Sequence, residues 1–194
     1  MSAQPVVILA STSAYRASLL RRLLEGFEQA SPGTDEDPLP GEAPAARAAR
    51  LAEAKARAVA ATRTGCVVIG SDQVADLDGT VLDKPGTVQA AHKQLSASSG
   101  REVVFHTAVC VIDAQGGASL HIDETRVHFR HLSAQDIERY VERERSLDCA
   151  GSFKCEGLGI ALFERIVNDD PTALIGLPLI ATCRLLRDAG VALP

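Results

Sequence analysis

The 194-residue chain has no tryptophan, one methionine, two tyrosines and five phenylalanines, so aromatic residues make up only 4% of it. Its core must therefore be built from Ala, Val, Leu and Ile. Lysine is scarce, occurring only at Lys55, Lys84, Lys93 and Lys154, and the 20 basic residues are outnumbered by 25 acidic ones, for a net charge of −5. An acidic chain lacks the broad cationic face that sequence-independent nucleic-acid binding requires. A few converging cations can still hold one small anion. The five cysteines, Cys66, Cys110, Cys149, Cys155 and Cys183, are odd in number, scattered and without a CxxC pair, which argues against a disulfide framework and a zinc site. The N-terminus shows neither the basic region nor the long apolar run of a signal peptide. The longest apolar stretch near the C-terminus, residues 173–182, is interrupted by Pro178 and too short to span a bilayer. The expectation is a cytoplasmic, reduced protein with neither membrane nor nucleic acid as a partner.

What is present is an ordinary globular composition, 46% hydrophobic and 23% charged. Residues 6–10 form a continuous apolar run, the pattern of a buried strand. Ser11-Thr12-Ser13 then leads into a helix with Leu19, Leu20, Leu23 and Leu24 on one face, ending near Gly26. Residues 31–44 carry Pro32, Pro38, Pro40 and Pro44 among acids and read as loop. Residues 47–62 are Ala-rich and helical by propensity. A second buried strand over residues 66–69 is expected to end in Gly70-Ser71-Asp72-Gln73, and Asp78-Gly79 signals a hairpin closed by Lys84-Pro85-Gly86. Thr87 caps a further helix, and residues 102–113 and 118–131 read as strands joined by Gln115-Gly116-Gly117. Ser133 with Asp136 starts a helix through Arg143 in capping-box fashion. A glycine-rich loop over 149–159, a strand over 160–167 and a helix over 178–189 with Gly190 as its C′ residue complete the chain. Strands and helices interleave without a composition break. Residues 1–194 therefore read as one α/β domain with a mixed sheet.

Four stretches carry candidate chemistry. Ser11 to Arg16 gathers hydroxyls and backbone N–H groups at a helix start, an anion site. Arg16 in the first turn opposes the helix dipole unless an anion lies between them. The same residues also describe an ordinary Ser cap beside a solvated Arg. Ser71-Asp72-Gln73 follows a buried strand, where ligands of α/β sheets collect. Asp72 there suits a divalent cation or the proton of a water attacking phosphate, or merely closes a turn. Lys84, stiffened by Pro85, is a point charge suited to phosphate oxygens, and Lys55 adds a second from an Ala- and Arg-rich helix. Glu36, within Asp35-Glu36-Asp37, is the kind of carboxylate that holds magnesium together with substrate phosphates, or part of a solvated loop. Residues 150–159 combine three glycines with Lys154 and Glu156 but match no Walker motif. A nucleophilic Cys155 has no evident coupling to any of the five histidines.

Taken in order, Leu9-Ala10-Ser11-Thr12-Ser13 with Arg16 and Leu19-Leu20, then Glu36, Lys55, Ser71-Asp72, Lys84-Pro85 and Gly176-Leu177-Pro178, resemble the Maf family of nucleoside triphosphate pyrophosphatases. The resemblance runs from Val6 to the last helix. Ser71-Asp72-Gln73-Val74 and Ala150-Gly151-Ser152-Phe153-Lys154 with Glu156-Gly157 are similar to the branch acting on 7-methyl-GTP. The dTTP/UTP branch typically has Thr in place of Gln73 and Gln in place of Glu156. What this implies is an elongated mixed central β-sheet flanked by helices, of the kind also found in inosine triphosphatases. It further implies hydrolysis of 7-methyl-GTP to 7-methyl-GMP and diphosphate, a divalent cation (magnesium or manganese) and a homodimer. By the same resemblance Asp72 is the proton acceptor and Glu36 belongs to the polar set around phosphate and metal. As candidate metal ligands Glu36 and Asp72 go together, with Asp72 serving as base, ligand or both. Tyr15, Gln73 and Glu156 would govern base choice, and Ser11, Arg16, Lys55 and Lys84 would hold phosphate. Ala108, where the family often has Gly, and Cys155, where relatives often have Ser, depart from the pattern. Two other readings are a dTTP/UTP pyrophosphatase and a non-catalytic nucleotide-binding regulator of cell division; the intact set of Asp72, Lys84 and Glu36 argues against the second.

Overall fold

The fold is organised by one long strand that is fully paired on one edge and only partly on the other. In the computed structural model, which describes residues 4–194, this strand is β3 (Val67–Leu77). Residues 1–3, the beginning of the segment read above for a leader, lie outside the described residues. The other strands are β1 (Val7–Leu9), β2 (Glu28–Gln29), β4 (Thr80–Val81), β5 (Glu102–Ile112), β6 (Ala118–Phe129) and β7 (Phe163–Val167). They form a seven-stranded sheet in the order β2-β1-β3-β5-β6-β7, with β4 added beside β3. The β1 pairs are parallel and the rest antiparallel, so the sheet is mixed, as expected.

On one edge β3 pairs with β5 continuously from Val68 to Asp76. On the other, β1 stops opposite Ile69 and β4 begins opposite Asp76. Residues 70–74 thus border a notch. The expectation that the strand ends at Ile69 is corrected here: Ser71, Asp72 and Gln73 lie inside β3, held extended by β5, with Ser71 buried and the side chains of Asp72 and Gln73 reaching the notch. The sheet continues through a polar stretch because its hydrogen bonds come from a distant segment, not from local hydrophobicity.

Helix α2 (Pro44–Ala60) covers one face of β3. It begins at Pro44, a residue read above as loop, because proline's fixed φ and missing N–H suit a first helical position. Its buried Ala48, Ala52, Ala56 and Val59 pack with Ile8, Val68, Val74 and Ala108. The approach is close: a Cβ on Gly70 would stand 2.2 Å from the Ala52 carbonyl oxygen and 2.6 Å from the Ala56 nitrogen. Only glycine fits there. The opposite face carries α1 (Ala14–Leu20) and α5 (Leu179–Asp188), packed on Val67, Ile69, Val109 and Val111.

The far half of the sheet is covered by α3 (Val88–Ser98) and α4 (Ala134–Glu144). There Phe105, Phe129, Phe153 and Phe163 meet edge to face with centroids 4.7–5.6 Å apart, so the scarce aromatics are concentrated in one cluster. The Ser133–Asp136 capping box forms as read, and Asp78 and Gly79 both have positive φ (51° and 83°) in the β3–β4 turn. Three details differ. The short edge strand β2 had no hydrophobic signal, its two residues both being exposed. Helix α1 ends at Leu20, leaving Leu23 and Leu24 in the following turns. The last strand starts at Phe163, because Leu158–Leu162 winds as a 3-10 turn.

Beside β6, Asp170 accepts from Thr172 N (2.8 Å) and Thr172 Oγ1 (2.5 Å), and its other oxygen caps α5 at Ile180 N (2.6 Å). Asp123 of β6 is buried with its Oδ1 unpartnered. Burial, then the charges of Asp170 and Asp169, push the Asp123 carboxyl up to about 6. A carboxyl raised in the folded state binds its proton more tightly than in the unfolded chain, so its penalty is absent below pH 4 and grows until pH passes about 6. Asp123→Asn should therefore raise the melting temperature at pH 7, by an amount equivalent to about 1–2 kcal/mol, and leave it nearly unchanged at pH 4. Calorimetric scans at the two pH values check this, and equal shifts at both would show that Asp123 is not the titrating group.

Candidate active site

The notch opens into a cavity of about 800 Å³, within the range of small-molecule sites. Its lining takes in every site residue expected from the sequence: Ser11, Tyr15 and Arg16 after β1, Glu36 from the proline-rich loop, and Lys55 from α2. Asp72 and Gln73 come from β3, Lys84 from the segment after β4, and Glu156 from the glycine-rich run.

At one end, α2 delivers Lys55 through the buried interface with β3. Its Nζ lies 2.6 Å from Asp72 Oδ1 and 2.7 Å from Glu36 Oε1. Lys55 and Asp72 are both buried, whereas Glu36 is half-exposed. Burial raises the Glu36 carboxyl, but the Lys55 hydrogen bond and the charges of Lys55, Lys84 and Arg16 outweigh it and hold Glu36 below its usual range. The Arg16 guanidinium donates from Nε to Gly176 O (2.9 Å), the same carbonyl that accepts from Ser71 Oγ (3.0 Å). Burial lowers its proton affinity, against the favourable charges of Asp72 and Glu36. Lys84 stands exposed on the rim.

The anion site expected at the helix start takes a different form. Helix α1 has only seven residues, and its serines satisfy their own backbone: Ser13 Oγ accepts from Arg16 N (3.3 Å) and Ser11 Oγ from Ser13 N (3.1 Å). The positive charge of the cavity comes instead from side chains, Arg16, Lys55 and Lys84 among them.

Two residues escaped the sequence reading. Arg47 donates from Nη2 to Glu36 O (3.2 Å) and pairs from Nη1 with Asp83 Oδ1 (3.2 Å), fastening the Glu36 loop to the neighbour of Lys84. Nothing in the sequence distinguishes it from the solvated arginines of α2. Asp148 receives the Tyr15 hydroxyl (3.4 Å) and lies 3.9 Å from Lys154 Nζ, which itself sits 5.6 Å over the Tyr15 ring. A cation thus already rests on this aromatic face beside a carboxylate. Gln73 is tied down by its amide nitrogen to Thr107, Ala173 and Leu174.

The Cys155 thiol donates to Glu156 Oε2 (3.4 Å), and burial, followed by the Glu156 charge, pushes it up to about 12. It stays a thiol at neutral pH, and among the described residues no histidine lines the cavity, so thiolate attack has no support. Among the described residues no group of three His, Cys, Asp or Glu side chains is placed to hold a metal. Glu36 and Asp72 nonetheless converge on one ammonium, with their oxygens no farther apart than the sum of their distances to it. Two such carboxylates fit a magnesium-type ion that completes its shell with substrate phosphates and water.

The profile of the Maf family, described as Maf-like protein, matches residues 6–189. The chain belongs to the Maf family. Two relatives are each named 7-methyl-GTP pyrophosphatase. The one from Xanthomonas campestris pv. campestris is 59% identical over 190 residues, spanning 98% of this chain and 99% of its own length. The one from Aromatoleum aromaticum is 55% identical over 189 residues, spanning 97% of each chain. A solved nucleoside-triphosphatase / dITP/XTP pyrophosphatase from Mycobacterium abscessus aligns over 93% of both chains at 18% identity and a TM-score of 0.44, a likeness too loose to argue from. In this Maf protein both departures from the common pattern have a place. Ala108 pairs with Asp72 and buries its methyl in the cluster that holds Ala52 and Ala56. Cys155 supplies a hydrogen bond to Glu156 where serine would supply another. Among the described residues no helix of this Maf chain is long and apolar enough to cross a membrane.

Proposed function

We propose that this chain hydrolyses 7-methyl-GTP between the α- and β-phosphates, giving 7-methyl-GMP and diphosphate. The observation that carries the reading is one cavity joining a carboxylate–lysine cluster to the Tyr15 ring and the carboxylates of Asp148 and Glu156. The names of the full-length relatives point the same way.

At the phosphate end, Arg16, Lys55 and Lys84 offset the negative charge of the triphosphate, the main contribution in phosphoryl chemistry. Ser11 donates its hydroxyl hydrogen to a phosphate oxygen. Lys55 holds Asp72 in place and keeps Glu36 ionised before substrate arrives. Asp72 orients the attacking water and accepts its proton. Glu36 and Asp72 would hold a divalent cation, magnesium or manganese, whose charge when bound polarises the phosphoryl oxygens.

At the base end, methylation at N7 gives guanine a formal positive charge. A cation stacked on Tyr15 gains about 0.5–2 kcal/mol. Glu156 accepts from the guanine N1–H and amino group and adds a favourable charge. Glutamine at that position keeps an acceptor but loses the charge. Because Glu156 is exposed, Glu156→Gln is expected to lower the preference for 7-methyl-GTP over GTP by about five-fold, without a comparable loss on GTP itself.

Steady-state rates of diphosphate release over 7-methyl-GTP, GTP, dTTP and UTP, with magnesium or manganese, test both statements. The wild type should turn over 7-methyl-GTP fastest. A preference for dTTP or UTP would assign the chain to the pyrimidine branch, and binding without turnover would make it a regulator. An unchanged preference in Glu156→Gln would remove the charge argument.

A further inference from the structure

Asp72 and Gln73 are consecutive on β3 and so face opposite sides of the sheet. Both line the cavity because it opens at the unpaired edge of the strand. On the Gln73 side, register places Gln73 opposite Thr107 of β5, and Thr107 opposite Asp123 of β6. Thr107 is fully buried, and its hydroxyl lies 3.0 Å from Ala173 O. A carbonyl only accepts, so the single hydroxyl hydrogen goes to Ala173 and a lone pair is left for Gln73. Gln73 Nε2 lies 3.0 Å from that hydroxyl oxygen, 3.0 Å from Ala173 O and 3.1 Å from Leu174 O. Its two hydrogens are therefore both committed. Turning the amide over would set Oε1 against two carbonyl oxygens. What Gln73 has left for a ligand is a carbonyl oxygen, which accepts and cannot donate.

We infer that Thr107 is a positioning residue for base recognition together with the Ala173 and Leu174 carbonyls. The carbonyls fix which way round the Gln73 amide sits, Thr107 anchors its nitrogen from the β5 side, and the cavity so meets the base with an acceptor. The ligand class selected is a base whose recognised edge donates. Guanine does so through N1–H and its amino group, whereas adenine presents an acceptor at N1. The inference rests on the guanine reading above and adds to it the groups that fix the polarity of the wall, along with discrimination against adenine. It also accounts for the segment 173–176. Its carbonyls at Ala173, Leu174 and Gly176 hold Gln73, Ser71 and Arg16, linking the base end to the phosphate end.

Thr107→Val keeps the shape of the side chain and removes the lone pair. Because the two carbonyls remain, the ratio of kcat/KM for 7-methyl-GTP over ATP should fall by about three-fold, the worth of the one hydrogen bond lost, through KM for 7-methyl-GTP, with its kcat within two-fold of wild type. Thr107→Ser should restore the ratio. An unchanged ratio in a folded Thr107→Val protein would overturn the assignment and leave Thr107 merely structural. A second measurement needs no variant. In 15N-labelled wild type, the Gln73 side-chain amide protons should be protected from solvent exchange, both free and with 7-methyl-GMP bound. Rapid exchange, or an amide-proton contact to the base, would overturn it as well. If wild type does not turn over 7-methyl-GTP, the functional reading fails, while the exchange measurement still decides how the Gln73 amide is held.

Discussion

Asp72→Asn is expected to lower kcat for 7-methyl-GTP by about 10²–10⁴-fold while leaving the melting temperature within a few degrees of wild type. The asparagine is isosteric, keeps an oxygen that can accept from Lys55 Nζ, and leaves Lys55 its second partner at Glu36. No buried charge is orphaned. The pairing of β3 with β5 at this position is made by backbone and is not touched. What disappears is a negative group able to take the proton of an attacking water beside Arg16, Lys55 and Lys84. The asparagine oxygen can still coordinate a cation held with Glu36, and one fewer negative charge faces the polyphosphate, so at saturating magnesium KM should change little. A kcat loss without a rise in KM marks an interaction made in the transition state. Steady-state kinetics and a calorimetric scan of the same preparation check both halves. Activity within three-fold of wild type would move the proton acceptor to another residue.

Several residues of this site stand at a local discontinuity in the chain, such as hydroxyls after the β1 run, a lone lysine in an alanine-rich helix and a lysine ahead of a proline. Tyr15, Gln73 and Glu156, by contrast, stand out as specificity positions only through the family resemblance. The convergence of these residues was not readable, since neither length nor periodicity says that β1 stops opposite Ile69 while β5 continues to Asp76. For the same reason Asp72 read as the end of a strand when it lies within one. Local windows register polarity, whereas the ladder that holds Ser71, Asp72 and Gln73 extended is supplied from more than thirty residues away. Elements fixed by nearest neighbours, such as the Ser133–Asp136 box and the Asp78-Gly79 turn, formed as read. Arg47 and Thr107 show the opposite limit. Each acts through a partner distant in sequence, Asp83 or Gln73, and each looks in the linear chain like its unremarkable neighbours.

Lys55→Met should be the most destabilising change in the site, because it leaves the buried Asp72 carboxylate facing Glu36 with nothing between them. Breaking a buried pair from one side costs about 3–5 kcal/mol, and the opening of Asp72 toward the cavity places this case near the lower end. For a chain of this size that is a fall in melting temperature of roughly 6–12 °C. Methionine matches the lysine stem, so packing against α2 is largely kept and the loss is electrostatic. The double variant Lys55→Met, Asp72→Asn tests that assignment: neutralising the orphaned carboxylate should return most of the stability and none of the activity. If the double variant melts as low as Lys55→Met alone, the loss comes from packing and the charge argument fails. The two carboxylates freed of lysine also form a more open cation site. Millimolar magnesium should therefore raise the melting temperature of Lys55→Met more than that of wild type. An equal magnesium response in both proteins would count against Glu36 and Asp72 as the pair that holds the ion.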